Sequence, residues 1–434
     1  MRRREPEIDY GVLDKKDVIA LRVALQNHLE LKPIGSLLPP GYQQVTVNHW
    51  VKESRLCNDG ADRLHAPNDD WKYRVWVGGR IFFRQQRIHL DRRLPVRASE
   101  NIINARLAGD LTSEDAKVFV TLRKALSFEF DSKTLLELKL GENRLPSRLQ
   151  SQLVLEEKQL CFMRNIPPSL RSMDNPRKIP PALDPDYSQS MIPSQTLLFR
   201  FSALTRNDHA IHLDPEYTKR VYGIPKLLVH GPLTSVLMLD ILRECLLDRG
   251  TKTPYAFVIR EFEYRNHLPL FAGEQISIAC KKLRNIYAGE GAKFRTDLPV
   301  PWELWEVWIQ KGEGDNATVA VRGRARVQPA TVSRLGPEEY DDADEESAFP
   351  LPTEQEETVQ SRHDGVDSIL QVRPYNKNPK AEPNNEDYPK PVSRPVQQSS
   401  WFSREHQLNV RRRPDFQKGY YLYHLPLPPS DQSK

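Results

Sequence analysis

The chain has 434 residues, of which 38% are hydrophobic and 28% charged, so it is long enough for two or three domains. Its 35 prolines indicate that one part of the chain does not build a core. A formal net charge of +5 is too small to indicate nucleic-acid binding, and no apolar run reaches the roughly 18 residues of a membrane span.

The cysteines are too far apart in sequence to form a paired metal-ligand motif or a disulfide framework. They are Cys57, Cys161, Cys245 and Cys280. We expect reduced thiols, no metal and no other cofactor. The chain opens with three arginines, as mitochondrial presequences do, but the acidic residues Glu5, Glu7 and Asp9 follow at once, so this segment is weak evidence for targeting.

The first half is predicted to combine one helix with several strands. Apolar residues recur at helical spacing between Asp14 and Leu31, and Asp14 can cap the helix. Strands are predicted over 71–83, where Gly78 and Gly79 suit a bend or a close backbone approach, and over 117–126 and 153–163. Prolines are frequent from Asn165 to Pro193, which indicates a connector.

The second half is predicted to wrap a sheet around one buried helix. That helix spans Pro232 to Leu247, with its few charged residues on one face. Strands are predicted over 257–265, 275–283, 304–310 and 318–327. A long buried helix followed by antiparallel strands is an α+β pattern. Three arginines alternate along the last strand, namely Arg322, Arg324 and Arg326. Two interpretations stay open: a solvated strand face, or a site for the phosphates of coenzyme A.

The last hundred residues differ in composition from the rest. Glu338 to Glu357 contain many acids and no Lys or Arg, and the residues beyond them are rich in Pro, Asn, Gln and Ser. Low hydrophobicity with blocks of like charge predicts disorder. The aromatic and basic end, KGYYLYHLPLPP, leaves open a role in binding a partner.

The most informative stretch is FSALTRNDHAIHLD at 201–214, followed by LVHGPLTSVLMLDIL at 228–242. These strings resemble the MaoC-like hydratases, and more closely their double hot-dog branch, the mitochondrial 3-hydroxyacyl-thioester dehydratases of type 2. The segments RNHLPLFAGEQISI, ELWEVWI, VWVGGRIFF and VFVTLRKAL also resemble that branch, so the likeness covers residues 14 to 328. Ala210 stands where the branch usually has a basic residue.

The resemblance implies an α+β double hot-dog fold, in which two antiparallel sheets each wrap a long helix. It places a non-catalytic half at 14–164, a linker at 165–194, a catalytic half at 195–328 and a disordered tail at 329–434. The first half shows no NxHxIH string of its own. We therefore expect it to complete the sheet and the acyl tunnel without contributing catalytic groups.

The resemblance also implies roles for residues of the motif. His212 is the expected general acid and base, because an imidazole exchanges protons near neutral pH. Asn207 would orient water or substrate, since a side-chain amide cannot take up a proton. Asp208 and His209 are secondary candidates. His230 and Gly231, at the start of the buried helix, are expected opposite His212 across the acyl slot, where backbone N–H groups would hold the thioester oxygen.

The implied activity is reversible dehydration of (R)-3-hydroxyacyl thioesters to trans-2-enoyl thioesters. The substrate is expected on acyl carrier protein in mitochondrial type II fatty acid synthesis. One alternative is a coenzyme A-specific hydratase of a short branched or dicarboxylic enoyl group. Another is a non-catalytic hot-dog module that binds acyl groups or partners. A mitochondrial location, with a cytoplasmic alternative, and a homodimer also come from the resemblance.

Overall fold

A computed structural model describes residues 4–331 except 63, 85–87, 92, 130–151, 167–178, 182–183, 254 and 287–300. The chain divides into one unit over 1–352 and a second over 353–434, and the second unit lies outside the described residues. The predicted disordered tail therefore lies almost wholly outside them as well. The inferred boundaries of the two halves, the linker and the tail stay predictions.

Within the described residues, ten strands form one sheet. Their bounds are β1 Glu7–Val12, β2 Tyr73–Phe83, β3 Pro95–Ala108, β4 Lys117–Phe128, β5 Gln152–Met163, β6 Tyr187–Met191, β7 Tyr255–Asn266, β8 Ile276–Ile286, β9 Trp302–Lys311 and β10 Thr318–Thr331. The order across the sheet is β1-β3-β4-β5-β2-β7-β10-β9-β8-β6, and every neighbouring pair is antiparallel.

This order contains the same five-stranded unit twice. In each half one strand is followed by a helical segment, with one long helix in the first half and two in the second, and then by four strands. The strands lie in the order first, third, fourth, fifth, second. The two second strands, β2 and β7, pair with each other, so the two sheets join edge to edge. This repeated α+β arrangement confirms the double hot-dog fold.

Three helices are longer than five residues among the described residues: α1 at Lys15–Gln26, α2 at Gln195–Thr205 and α3 at Gly231–Gly250. The side chain of Asp14 caps α1 by accepting from the N–H of Lys16 at 2.9 Å. Ser194 caps α2 in the same manner through the N–H of Leu197. The predicted helix of the second half is confirmed as α3, with Pro232 in its first turn.

Helix α3 is buried along most of its length, including two of its acidic side chains. Asp240 and Glu244 are 0% and 2% exposed, and both accept hydrogen bonds from the guanidinium of Arg22 on α1 at 3.2 Å. The hydroxyl of Tyr42 also donates to Asp240 at 3.0 Å. The charged face of α3 is therefore an internal ion-pair network that ties the helices of the two halves together.

The glycine pair predicted to allow close backbone approach lies where the two halves meet. A Cβ on Gly78 would lie 2.2 Å from the carbonyl oxygen of Tyr264 on β7, and a Cβ on Gly79 would lie 2.8 Å from that of Glu157 on β5. Beside them the indole of Trp76 donates to the Tyr264 hydroxyl at 2.9 Å. Small residues here let the two central strands pair closely.

Every strand predicted from periodicity is present, but β1, β3 and β6 were not predicted. Strand β6 lies inside the segment that we expected to be a linker, and it pairs with β8 at the edge of the sheet. That segment therefore contributes a strand as well as connecting the halves.

Candidate active site

The loop that carries the motif begins where α2 ends. Arg206 adopts a left-handed conformation with φ of 56°, which turns the chain out of the helix. The N–H of Asn207 then donates to the carbonyl of Ser202 at 3.0 Å. The chain continues into a short helical turn at Ala210–His212. These turns fix the direction in which each side chain of the loop leaves the backbone.

His212 is buried and is held in a defined tautomer. Its Nδ1 lies 2.7 Å from the carbonyl oxygen of Leu228, and because a carbonyl only accepts, Nδ1 must carry the proton. Nε2 therefore bears the lone pair, and it makes no hydrogen bond within the described residues. Burial lowers the pKa of His212 to about 3. The arrangement presents a neutral proton acceptor at physiological pH.

His230 stacks directly on His212. Their ring centroids lie 3.7 Å apart with an angle of 19° between the planes, and His230 is fully buried. The Nε2 of His230 lies 2.9 Å from the hydroxyl oxygen of Ser202. Burial also lowers the pKa of His230 well below its ordinary value. We expected the two residues to face each other across a slot, but this was wrong, because the rings pack face to face as one buried pair.

His209 contacts residues from both halves. Its Nε2 lies 2.9 Å from the Tyr222 hydroxyl oxygen and 3.3 Å from Oδ2 of Asp59, and the Tyr222 hydroxyl donates to that same carboxylate at 2.6 Å. Burial acts against ionisation of Asp59, but the hydrogen bonds from His209 and Tyr222 hold its pKa well below the usual range. The His209 ring meets His212 edge-on, with centroids 6.0 Å apart.

The other candidates of the loop lie at different depths. Asn207 is half-buried, and its Oδ1 accepts a long hydrogen bond of 3.3 Å from the backbone N–H of His209. The side chain of Asp208 is exposed, while its backbone packs on Gly60 of the first half. Asp214 is a helix cap that accepts from the N–H of Tyr217 at 2.9 Å, as its place before a proline predicts.

Gly231 begins α3, where backbone N–H groups are free of intrahelical partners. A Cβ at this position would lie 2.6 Å from Cγ of Trp76, so the glycine is needed for the close approach of that indole. The small residue thus leaves room for the Trp76 side chain from the first half, whose backbone carbonyl accepts from the Asn266 side chain at 2.9 Å.

A cavity of about 440 Å³ joins these elements. From the second half its wall includes Asn207, His209, His212, Gly231 and Thr234. The first half contributes Trp76 and a set of charged side chains, namely Asp62, His65, Arg74, Glu100, Lys124 and Lys158. The cavity therefore passes from the motif into the first half, where these charged side chains line it together with apolar ones such as Leu122 and Leu160.

Sequence reasoning missed Asp59, Tyr222 and Trp76. The first two residues lie 163 positions apart in the chain, so no local spacing connects them. Trp76 was identified only as part of a strand. A tryptophan two residues before a glycine pair is the local feature that indicates an unusually close contact at this point.

The described residues contain no group of three or more His, Cys, Asp or Glu side chains that could hold a metal ion. Among the same residues, none of the helices has the length and apolar character needed to cross a membrane.

Comparison with known proteins assigns the chain to a family. The family profile of hydroxyacyl-thioester dehydratase type 2 matches residues 41–272. The mitochondrial hydroxyacyl-thioester dehydratase type 2 of Schizosaccharomyces pombe is 24% identical over 303 residues, which cover 67% of this chain and 93% of that protein. The mesaconyl-C(4)-CoA hydratase of Chloroflexus aurantiacus is 38% identical over 119 residues, covering 27% of this chain and 39% of that protein.

Among solved structures, a MaoC-like dehydratase from Phytophthora capsici covers 75% of this chain and 96% of its own, with 14% identity and a TM-score of 0.45. The family profile spans more than half of the 434 residues. The chain therefore belongs to the hydroxyacyl-thioester dehydratases of type 2, and it is a hydro-lyase that acts on acyl thioesters.

Proposed function

We propose that this enzyme reversibly dehydrates (R)-3-hydroxyacyl thioesters to trans-2-enoyl thioesters in mitochondria, with the acyl group on acyl carrier protein. The observation that supports the chemistry best is His212, a buried imidazole whose Nδ1–H is fixed on Leu228 and whose Nε2 is free beside the cavity. The location is supported by the Schizosaccharomyces pombe relative, which is named as mitochondrial. The carrier is what the resemblance of the sequence implies.

In the dehydration direction His212 would take the proton next to the thioester carbonyl on Nε2. The negative charge that develops on the carbonyl oxygen would be stabilised by the free N–H groups at the start of α3, of which that of Gly231 lies at the cavity wall. Asn207 would hold the hydroxyl group or the water molecule through its side-chain amide. The tautomer of His212 and the shared cavity support these roles.

The test is turnover by the purified full chain. Crotonyl and 3-hydroxybutyryl groups on acyl carrier protein and on coenzyme A would be supplied in turn, and the enoyl absorbance followed. We expect turnover of both forms and faster turnover of the carrier-bound form. Faster turnover of the coenzyme A thioesters would contradict the proposed carrier, and no turnover of any thioester would contradict the reaction.

A second candidate is supported by the charged wall in the first half. The Nζ of Lys158 lies 2.7 Å from Oε2 of Glu100, and Nε2 of His65 lies 3.5 Å from Oε1 of the same glutamate. Burial opposes ionisation of Glu100, yet the ammonium of Lys158 holds its pKa at about 2. An acyl tunnel for long saturated chains is expected to be apolar, because methylene groups cannot replace the water around such charges.

Lys124 is the group in this wall that most favours a polar acyl end. Its Nζ donates to two neutral groups, the carbonyl of Val47 and Oδ1 of Asn48, and makes no ion pair among the described residues. Burial and then the nearby charge of Lys158 lower the pKa of Lys124 to about 8. A carboxylate at the far end of a short acyl group would give this ammonium a direct ion pair, in addition to the longer-range attraction of Glu100, Glu156 and Asp9.

The second candidate is therefore a hydratase of a short dicarboxylic enoyl-CoA, and the partial relative named mesaconyl-C(4)-CoA hydratase agrees with it. It is tested by the rate on an enoyl-CoA with a free terminal carboxylate, relative to crotonyl-CoA. Lys124→Met should lower that ratio. Arg123→Met is the control, because Arg123 is the residue before Lys124 on β4 and pairs outside the cavity with Glu157. A ratio unchanged by Lys124→Met would exclude this candidate.

A further inference from the structure

Dehydration of a 3-hydroxyacyl thioester needs two proton transfers, one from carbon to a base and one from an acid to the departing hydroxyl. The geometry of His212 suits the base, since its Nε2 carries a lone pair. The amide of Asn207 cannot supply the second proton. A second acid at the cavity would spare His212 from serving both transfers with one nitrogen, and Asp208 is a poor candidate because its side chain is exposed.

His209 is buried at the cavity wall and is arranged differently from the other two histidines of the site. The Tyr222 proton is committed to Asp59, at 2.6 Å, so the Tyr222 oxygen accepts from Nε2–H of His209 at 2.9 Å. The other ring nitrogen, Nδ1, makes no hydrogen bond within the described residues. The Nε2 of His209 is therefore held by Tyr222 and Asp59, and its Nδ1 has no hydrogen-bond partner among the described residues.

The surroundings determine which histidine can carry a positive charge. An imidazolium at His209 would face the Asp59 carboxylate at 3.3 Å. An imidazolium at His212 would contact the His230 ring at 3.7 Å and would lie in the field of Arg74, with no carboxylate partner among the described residues. A nearby negative charge favours the protonated form of a histidine, and burial without such a charge disfavours that form.

We propose that His209 is the second proton carrier of the reaction, charged and oriented by Asp59 and Tyr222, so that a residue of the first half takes part in the chemistry. The inference rests on the proposed reaction. In the dehydration step the C–H bond breaks and its proton moves to Nε2 of His212. The C–O bond then breaks, and Nδ1–H of His209 protonates the departing hydroxyl to give water. His212 then releases its proton to solvent and His209 takes one up, so the cycle consumes no net proton.

The backbone ensures that Asp59 stays beside the motif. Its carbonyl accepts from the N–H of Ala210 at 2.7 Å. The next residue, Gly60, adopts φ of 75°, and a Cβ there would lie 2.0 Å from the carbonyl oxygen of Asp208. The loop of the first half thus packs on the motif without an intervening side chain. This explains how a carboxylate distant in sequence is kept within 3.3 Å of His209.

Asp59→Asn tests the proposal, because it keeps the shape of the Asp59 side chain and removes its negative charge. We expect kcat to fall by roughly 10²-fold with little change in KM, and the basic limb of the pH profile of kcat to move to lower pH. Tyr222→Phe should give a smaller loss in the same direction. Asp110→Asn, in an exposed turn of the first half, is the matched control.

A second measurement does not depend on turnover. Nuclear magnetic resonance of the full chain with isotope-labelled histidine reports the protonation of each ring. The titratable groups that face His209 are Asp59, Tyr222, His212 and His230.

The imidazolium signal of His209 should persist to higher pH in the unmodified protein than in Asp59→Asn, while His212 stays neutral above pH 5. An unchanged His209 titration, or a lower rate with an unchanged pH profile, would overturn the proposal while leaving the reaction itself established.

Discussion

At the scale of single residues, His212 is the side chain on which the proposed reaction most depends. His212→Ala removes the base but leaves the start of α3 and the cavity wall, so substrate should bind while kcat falls by roughly 10² to 10⁴-fold. Asn207→Ala should cost less, because it removes a hydrogen bond and no proton carrier. Binding of a non-reactive acyl thioester by calorimetry, alongside initial rates, measures both effects.

His209→Ala provides the comparison for His212→Ala. Both variants should lose activity, but only the loss of His209 should remove the effect of Asp59→Asn on the pH profile. If His212→Ala turned over at a near-normal rate while His209→Ala did not, the base would have to be placed three residues earlier in the motif.

The stacked histidines also make stability depend on pH. Burial lowers the pKa of His212 from 6.5 to about 3 and shifts that of His230 in the same direction. Between the folded-state pKa and the ordinary pKa of these rings, the unfolded chain binds more protons than the folded chain. The free energy of unfolding should therefore fall on acidification below about pH 6.5. The expected slope is about 1.4 kcal/mol per pH unit for each histidine that titrates on unfolding.

Urea denaturation of the full chain at several pH values measures this slope. His230→Gln should reduce it, because one buried imidazole no longer has to be protonated. His49→Gln, at a half-exposed position paired with Asp9, keeps the stacked pair and serves as the control. An identical slope in all three proteins would show that these rings do not govern the acid sensitivity.

At the scale of elements, α1 and α3 are joined by buried charges rather than by apolar packing alone. Arg22 is 3% exposed and donates hydrogen bonds to two carboxylates. Despite this pairing, burial raises the pKa of Asp240 to about 6. Removing one member of a buried pair leaves the others without a counter-charge. Arg22→Leu should therefore lower the free energy of unfolding by about 3 to 5 kcal/mol.

Arg123→Leu is the matched control for Arg22→Leu. Arg123 pairs with Glu157 at 2.6 Å, but its side chain is 44% exposed, and exposed pairs contribute about 1 kcal/mol or less. Chemical denaturation of both variants would compare them directly. Equal losses would mean that burial does not determine the importance of the Arg22 network.

The elements that could be predicted from the sequence are those with a regular apolar pattern. Strand β10 alternates Val319, Val321 and Val327 into the core, and α3 is apolar on most sides, so both were found. Strand β3 was missed because its inward positions include Glu100, which lines the cavity and interrupts the alternation. Strand β6 is short and lies at the sheet edge, where a polar sequence can still pair.

The arginines of β10 illustrate a pattern whose meaning the sequence left open. In the structure Arg322 lies 3.1 Å from Glu306 on β9, and Arg326 lies 3.7 Å from Glu261 on β7. These cations are paired across neighbouring strands. The motif histidines were identified from the chain, whereas Asp59 and Trp76 act through contacts between the halves that no local pattern reports.

At the scale of the whole molecule, the two halves share one sheet, one core and one cavity. Their junction consists of the β2 and β7 pairing, the Trp76 indole against Gly231, and the Asp59 loop against the motif. The first half thus supplies the charged cavity wall and the partner of His209. A protein reduced to the second half would lose both, even though the family motif lies entirely within it.

The last prediction concerns the segment after β10. That strand lies inside the sheet, paired with β7 from Val321 to Thr331 and with β9 between Thr318 and Val327. The sequence beyond it has no core periodicity and contains a long acidic run. A chain ending at residue 331 should therefore keep its melting temperature and its turnover of acyl thioesters, measured against the full chain. Aggregation or lost activity would instead show that the aromatic C-terminal residues pack on the enzyme.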